Sequence, residues 1–169
     1  MSTPEMVLAG EAAARAMRDE RGARRRVGRG TVAVLRRVPL FAGLSARHVR
    51  RIAQLATEAK FRAGRTIVER GVRGDAFYLI LDGRAKVYRS VVPGGRTLAR
   101  LGPGDFFGEM ALLDGGPRAA TVVAETPLTA MRLSRPAFRR LLQKEPAVAV
   151  RVLEEMARRS RDHEPVARQ

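Results

Sequence analysis

The chain reads as a mainly β domain flanked by helices, an α+β architecture, on three observations. Short apolar segments recur between Glu58 and Leu133, at Thr66 to Val68, Phe77 to Leu81, Ala85 to Tyr88, Thr97 to Leu101, Thr121 to Ala124 and Leu128 to Leu133. Turn-forming clusters separate them, at Gly71, Gly74-Asp75, Asp82-Gly83, Pro93-Gly94-Gly95, Gly102-Pro103-Gly104-Asp105 and Asp114-Gly115-Gly116-Pro117. Many short strands punctuated in this way predict a sandwich, roll or barrel rather than a parallel sheet. On either side of this region the apolar residues repeat at helical spacing.

Residues 1–30 stand apart: they are rich in Ala, Arg and Glu, hold no aromatic residue, and contain the Gly-Arg string from Arg21 to Gly30. Propensity predicts a helix around Pro4 to Glu20, but its apolar residues make no stripe, so the segment reads as a basic, flexible arm. Helices follow over 31–57. Val34, Leu35 and Val38 form a short one ended by Pro39, which pushes the preceding residue out of the helical region. Phe41 and Leu44 lie in a turn, and Ser45 caps a helix through Val49, Ile52, Ala53 and Ala56. The strands occupy 58–133. Over 134–163 Ser134 caps a helix with Pro136 in its first turn and Phe138, Leu141 and Leu142 as its buried stripe. Pro146 starts another, with Val148, Val152, Leu153 and Met156 as the apolar positions. Residues 164–169 are a tail.

Composition narrows the chemistry. With 169 residues the chain can bury a core without cross-links, and it has no cysteine, which excludes disulfides, thiol catalysis and zinc–thiolate sites. Its longest apolar run, Phe77 to Leu81, is far short of the ~20 residues of a membrane helix, and its start lacks a secretory pattern, so a cytoplasmic location is expected. The net charge is +16, almost entirely arginine. Such a field attracts polyanions, and the basic arm is a candidate for non-specific binding to nucleic acid or another anionic surface.

The segment Phe107 to Ala124 carries the most specific chemistry. Gly108 precedes a short run of helix formers, Glu109 to Leu113, wedged between strands. The free N–H groups at such a start favour an anion, and glycine admits close backbone approach. Nine residues beyond Glu109, Arg118 offers a planar fork suited to phosphate oxygens. Glu109 suits hydroxyl donors such as those of a ribose. The pair reads either as a sugar-phosphate site or as a surface salt bridge over a turn.

This stretch resembles the phosphate-binding cassette of the cyclic-nucleotide-binding domain family, whose pattern is Gly-Glu-x-Ala-Leu, a short gap, then Arg-Ala-Ala-x-Val-x-Ala. Every element is present, at Gly108, Glu109, Ala111, Leu112, Arg118, Ala119, Ala120, Val122 and Ala124. A second family signature fits at Gly71, Gly74, Phe77-Tyr78-Leu79-Ile80 and Gly83, with a departure at Val72. Val38 to Ser45 resembles the family's motif between its N-terminal helices.

The resemblance implies an antiparallel β-roll or jelly roll and a non-catalytic sensor of cyclic AMP, with cyclic GMP as the second candidate. It places Arg118 on the cyclic phosphate and Glu109 on the ribose 2′-hydroxyl. Backbone N–H groups near Gly108, Met110, Ala111, Ala119 and Ala120 complete the cradle, and Val87 and Ala85 line the base pocket. Ala119 lacks the hydroxyl that donates to guanine in relatives, which favours cyclic AMP. The last helix closes as a lid over a hinge near Phe138 and Leu141, and Leu153, Met156, Arg158 or Arg159 covers the base. An effector protein is implied downstream, and the Val148/Val152/Met156 stripe permits a homodimer. No cofactor and no metal are expected.

Three rivals remain. A metal-dependent jelly-roll enzyme needs a histidine and carboxylate cluster, yet the only histidines are His48 and His163, before and after the strands. A transcription regulator needs a helix-turn-helix after the last helix, where this chain is expected to end. The third is an adaptor, or a regulator associated with nucleic acid, that keeps the fold with weak or no nucleotide binding.

Overall fold

A computed structural model describes residues 24–89 and 96–162. The expected helix at Pro4 to Glu20, the turn at Pro93-Gly94-Gly95, His163 and the tail 164–169 lie outside the described residues. Two antiparallel sheets form the β-roll. The first is ordered β1 (Arg24–Arg26), β2 (Thr57–Phe61), β9 (Leu128–Ser134), β4 (Ala76–Asp82) and β7 (Phe106–Phe107). The second is ordered β3 (Thr66–Val68), β8 (Thr121–Ala124), β5 (Ala85–Tyr88) and β6 (Thr97–Leu101). Three strands have no apolar run to announce them. In β2 (TEAKF) the polar residues alternate with buried Ala59 and Phe61, β7 is two residues long, and β1 is three arginines.

Strand β1 corrects the reading of residues 1–30 as an arm throughout. Arg24, Arg25 and Arg26 pair antiparallel with Ala59, Glu58 and Thr57, and helix α1 (Arg29–Leu35) already begins two residues before Thr31. Backbone pairing with a sheet edge needs no apolar side chain, so composition alone misread this stretch.

Strand β4 explains how one sheet serves two cores. Its residues alternate: Phe77 and Leu79 join the cluster packed beneath the helices, whereas Ala76, Tyr78 and Ile80 fill the interior of the roll. A strand buried on both faces reads as one continuous apolar run. The helical layer holds α1, a 3-10 turn (Pro39–Phe41), α2 (Ala46–Leu55), α4 (Arg135–Lys144) and α5 (Pro146–Asp162). The expected caps form: the Ser45 hydroxyl accepts from the His48 N–H at 3.3 Å, and that of Ser134 accepts from the Ala137 N–H at 3.4 Å. Phe138 on α4 stacks on Phe77 at 4.6 Å between ring centroids, fixing the hinge helix to β4. Arg151 on α5 donates to the Leu40 carbonyl at 3.0 Å, which seats the last helix on the 3-10 turn.

Candidate functional site

The cassette folds around α3 (Glu109–Asp114), bracketed by two left-handed glycines, Gly108 at φ 92° and Gly115 at φ 72°. No side chain could replace Gly108 without strain, since a Cβ there would meet Arg118 Nη1 at 2.5 Å and the Ala76 carbonyl at 2.8 Å. The loop before β4 is laced to the far end of the cassette. The Gly71 N–H donates to the Arg118 carbonyl at 2.9 Å, and the Arg118 N–H donates to the Val72 carbonyl at 2.8 Å. Gly74 in that loop lies against the Arg118 guanidinium, where a Cβ would come within 2.5 Å of Cζ. The guanidinium is thus threaded between two glycines, and its Nη1 donates to the Gly108 carbonyl at 3.1 Å.

Glu109 and Arg118 are each 3% exposed, so they do not form a surface salt bridge. Two opposite charges held this far from water inside one short segment must be serving one another or a ligand. The Glu109 carboxylate meets Arg159 of α5, whose Nη1 lies 3.2 Å from Oε1. Arg159 also donates from Nη2 to the Phe106 carbonyl at 2.6 Å and from Nε to Glu155 at 2.8 Å, with its guanidinium 5.0 Å over the Phe106 ring. Burial pushes the Glu109 carboxyl above its ordinary range; Arg159, its own backbone N–H and Arg118 pull it partly back.

The remaining expected site residues fall as follows. Ala111 is buried on α3, Met110 is exposed on its outer side, and Ala119 and Ala120 follow Arg118 at the rim. Ala85 and half-buried Val87 face the roll interior, opposite Ala124 and Val122 of β8. Among the lid candidates only Arg159 reaches the cassette. Leu153 is 59% exposed, Met156 packs on the helical core, and Arg158 pairs with Glu155 on the outer face of α5. A 17-residue helix seats only one stripe, and Val148 and Val152 direct that stripe inward, leaving Leu153 outside.

Sequence reasoning missed Arg135. From the first turn of the hinge helix its Nη2 donates to the Gly74 carbonyl at 2.8 Å and to the Ala111 carbonyl at 3.4 Å. One side chain therefore joins the loop that holds Arg118, the cassette helix and the hinge. Partners 61 and 24 residues away leave no local pattern to find. A cavity of about 350 Å³ lies behind Arg159, between α5, the 3-10 turn and the turn before β7. Among the described residues no group of His, Cys, Asp or Glu could hold a metal ion.

A two-sheet roll with terminal helices, enclosing an acid and an arginine on a glycine-flanked helical turn, defines a class of ligand-binding regulatory module. The cyclic nucleotide-binding domain model matches residues 58–145, more than half the chain, and the protein belongs to that family. It is 46% identical over 110 residues to a cAMP-dependent protein kinase regulatory subunit of Aspergillus fumigatus, covering 65% of this chain and 26% of that one. The chain thus spans about a quarter of the length of the curated relatives it matches. The catabolite activator protein of Thermus thermophilus superposes with a TM-score of 0.66 at 37% identity, covering 73% of this chain and 59% of that one. The regulatory subunit of a cAMP-independent protein kinase A from Trypanosoma cruzi, bound to guanosine, gives a TM-score of 0.66 at 25% identity, over 84% and 47%. Two of these relatives are named as regulatory subunits and the third as an activator protein, in keeping with the expectation of a non-enzyme. Among the described residues no helix is long and apolar enough to cross a membrane.

Proposed function

We propose that the chain is a cyclic-AMP sensor whose cassette grips the cyclic phosphate with Arg118 and the ribose with Glu109. The observation that carries this reading is the burial of both side chains on one segment, with Arg118 Nη1 already on the carbonyl of the left-handed glycine that starts α3. A ring phosphodiester brings one negative charge to an arginine held in low dielectric, and α3 presents its first N–H groups on the same side. Glu109 keeps one oxygen on Arg159 and offers the other to a hydroxyl.

Ala85 and Val87 supply an apolar wall for the base. Ala119 offers guanine no hydroxyl, which favours adenine. The guanosine-bound trypanosomal relative is the reason to test both bases, since the fold alone leaves that choice open. Because Arg159 joins α5 to Glu109, nucleotide arriving at the ribose subsite acts directly on the last helix, and α4 carries the change through Arg135. The effector is then a protein, and the likeness to kinase regulatory subunits makes a kinase catalytic chain the first candidate. The functional unit is 31–163, extended backward to β1, acting in the cytoplasm without a cofactor, and α5 is the element on which two copies would pair.

Isothermal titration with cyclic AMP and cyclic GMP, on the native chain and on Arg118→Ala, tests the reading. Heat with cyclic AMP that is lost in the variant is expected. Absence of heat with either nucleotide overturns it in favour of an adaptor.

A further inference from the structure

Charge is not spread evenly along this protein. Residues 21–57 contain ten arginines and no aspartate or glutamate, so this stretch alone carries ten of the sixteen net positive charges. It builds β1, α1, the 3-10 turn and α2, the part of the helical layer farthest along the chain from the cassette. Of these arginines Arg26, Arg29, Arg36, Arg37, Arg47, Arg50 and Arg51 are exposed, and none makes an ion pair or side-chain hydrogen bond to a described residue. Elsewhere paired and unpaired cations are mixed: Lys86 and Arg100 share Glu125, Arg132 meets Asp75, and Arg158 and Arg159 share Glu155, whereas Arg62, Arg84, Arg139 and Arg140 are exposed without an ion pair to a described residue.

On α2 the geometry is sharp. Val49, Ile52 and Ala53 are buried, which turns Arg47, Arg50 and Arg51 outward together on the opposite face. Four residues of helix rise about 6 Å, so the stripe spans roughly the spacing of successive phosphates on a nucleic-acid strand. Helix α1 packs beside α2 and adds Arg36 and Arg37.

We infer that the outer face of α1 and α2 is a docking surface for the phosphate backbone of duplex nucleic acid, read without regard to sequence. A protein partner would need an apolar centre to its interface, and Val34 is the one large apolar side chain exposed on these two helices. A membrane surface needs a second anchor beside a basic patch for stable attachment; no aromatic side chain is exposed on these helices to provide it. Arginine without an apolar centre suits a rigid polyanion whose counterions are released on contact. The surface differs from the N-terminal arm, because Arg47, Arg50 and Arg51 lie on an ordered helix. It also stands apart from the cassette, so it does not depend on nucleotide binding.

The test measures binding of the full chain to a fluorescent 20-base-pair duplex as salt is varied, alongside R47Q/R50Q/R51Q and an equal-charge control on the β side, R62Q/R84Q/R96Q. Cyclic-nucleotide titration and thermal melting of each variant report that the fold is intact. The native chain should bind two unrelated duplex sequences equally, with log K falling on log salt at a slope of about −4. The α2 triple variant should lose about 3 from that slope and bind roughly a hundredfold more weakly near 0.1 M salt, while the control keeps most of its affinity. Equal losses in the two triples would show only net charge at work and overturn the assignment. So would an unaffected α2 variant, which would place binding on the arm. Binding to phosphatidylserine vesicles or to polyglutamate in preference to the duplex would overturn it in favour of those partners.

Discussion

Replacing Gly74 by alanine tests the ligand grip. A Cβ at position 74 would stand 2.5 Å from both Cζ and Nε of Arg118. Ordinary contact begins near about 3.5 Å, so the guanidinium must retreat by about 1 Å. Its Nη1 is held on the other side by the Gly108 carbonyl at 3.1 Å, so the group has no room to move straight back and must swing aside, which breaks that bond. Gly74 is not among the described glycines with positive φ, so alanine fits its backbone, and the group displaced is the far end of a long side chain. Stability should fall by about 1–3 kcal/mol, because a buried charged group loses an internal bond. Affinity for cyclic AMP should fall by about 1.5–3 kcal/mol, the worth of a hydrogen bond to a charged group, which is roughly 10- to 150-fold. Calorimetric titration beside a thermal melt measures both. A Gly74→Ala protein that stays folded and binds within threefold of the native one would refute the claim that this guanidinium is the phosphate grip.

Arg118→Ala should weaken cyclic AMP by about 2–4 kcal/mol, as expected when one partner of a buried charge pair is removed; titration on the folded variant checks this. Because the Glu109 pKa is raised by burial, its contribution to folding stability is fully present below its unfolded value and is lost as pH rises through the folded one. Affinity runs the other way: the ribose hydroxyl needs a carboxylate acceptor, so binding should weaken as pH falls through that raised value. Titrations at several pH values should show that dependence in the native chain and not in Glu109→Gln. Arg159→Ala should speed amide exchange over residues 153–162 and raise the Glu109 pKa further, the first read by mass spectrometry and the second by the binding–pH profile. Arg135→Ala should leave the affinity within about threefold, since Arg135 touches no ligand, yet should abolish any change in α5 exchange on adding cyclic AMP. Unaltered exchange coupling would remove its role as the joint between cassette and hinge.

Much of this was legible in the chain. The six apolar segments announced six strands because each places side chains in one of the two cores, and burial must be written in apolar residues. Ser45 and Ser134 announced helix starts because capping is a local bond within three residues. The cassette was legible for the same reason: Gly108, Glu109 and Arg118 act within eleven positions. Strands β1, β2 and β7 were not legible. Their pairing is backbone to backbone across distant segments, and the arginines of β1 carry no apolar mark.

The amino-acid order by itself determined the strand-rich middle, the helical flanks and the positions where an anion would be held, since periodicity, turns and caps are all short-range. Only the tertiary structure decided what surrounds those positions. It set Arg118 between Gly74 and Gly108, brought Arg159 across 50 residues to Glu109, and turned Leu153 to solvent while Arg135 reached two distant segments at once. Contacts of that length depend on how whole elements pack, and a charged side chain shows no periodicity that would forecast its partner.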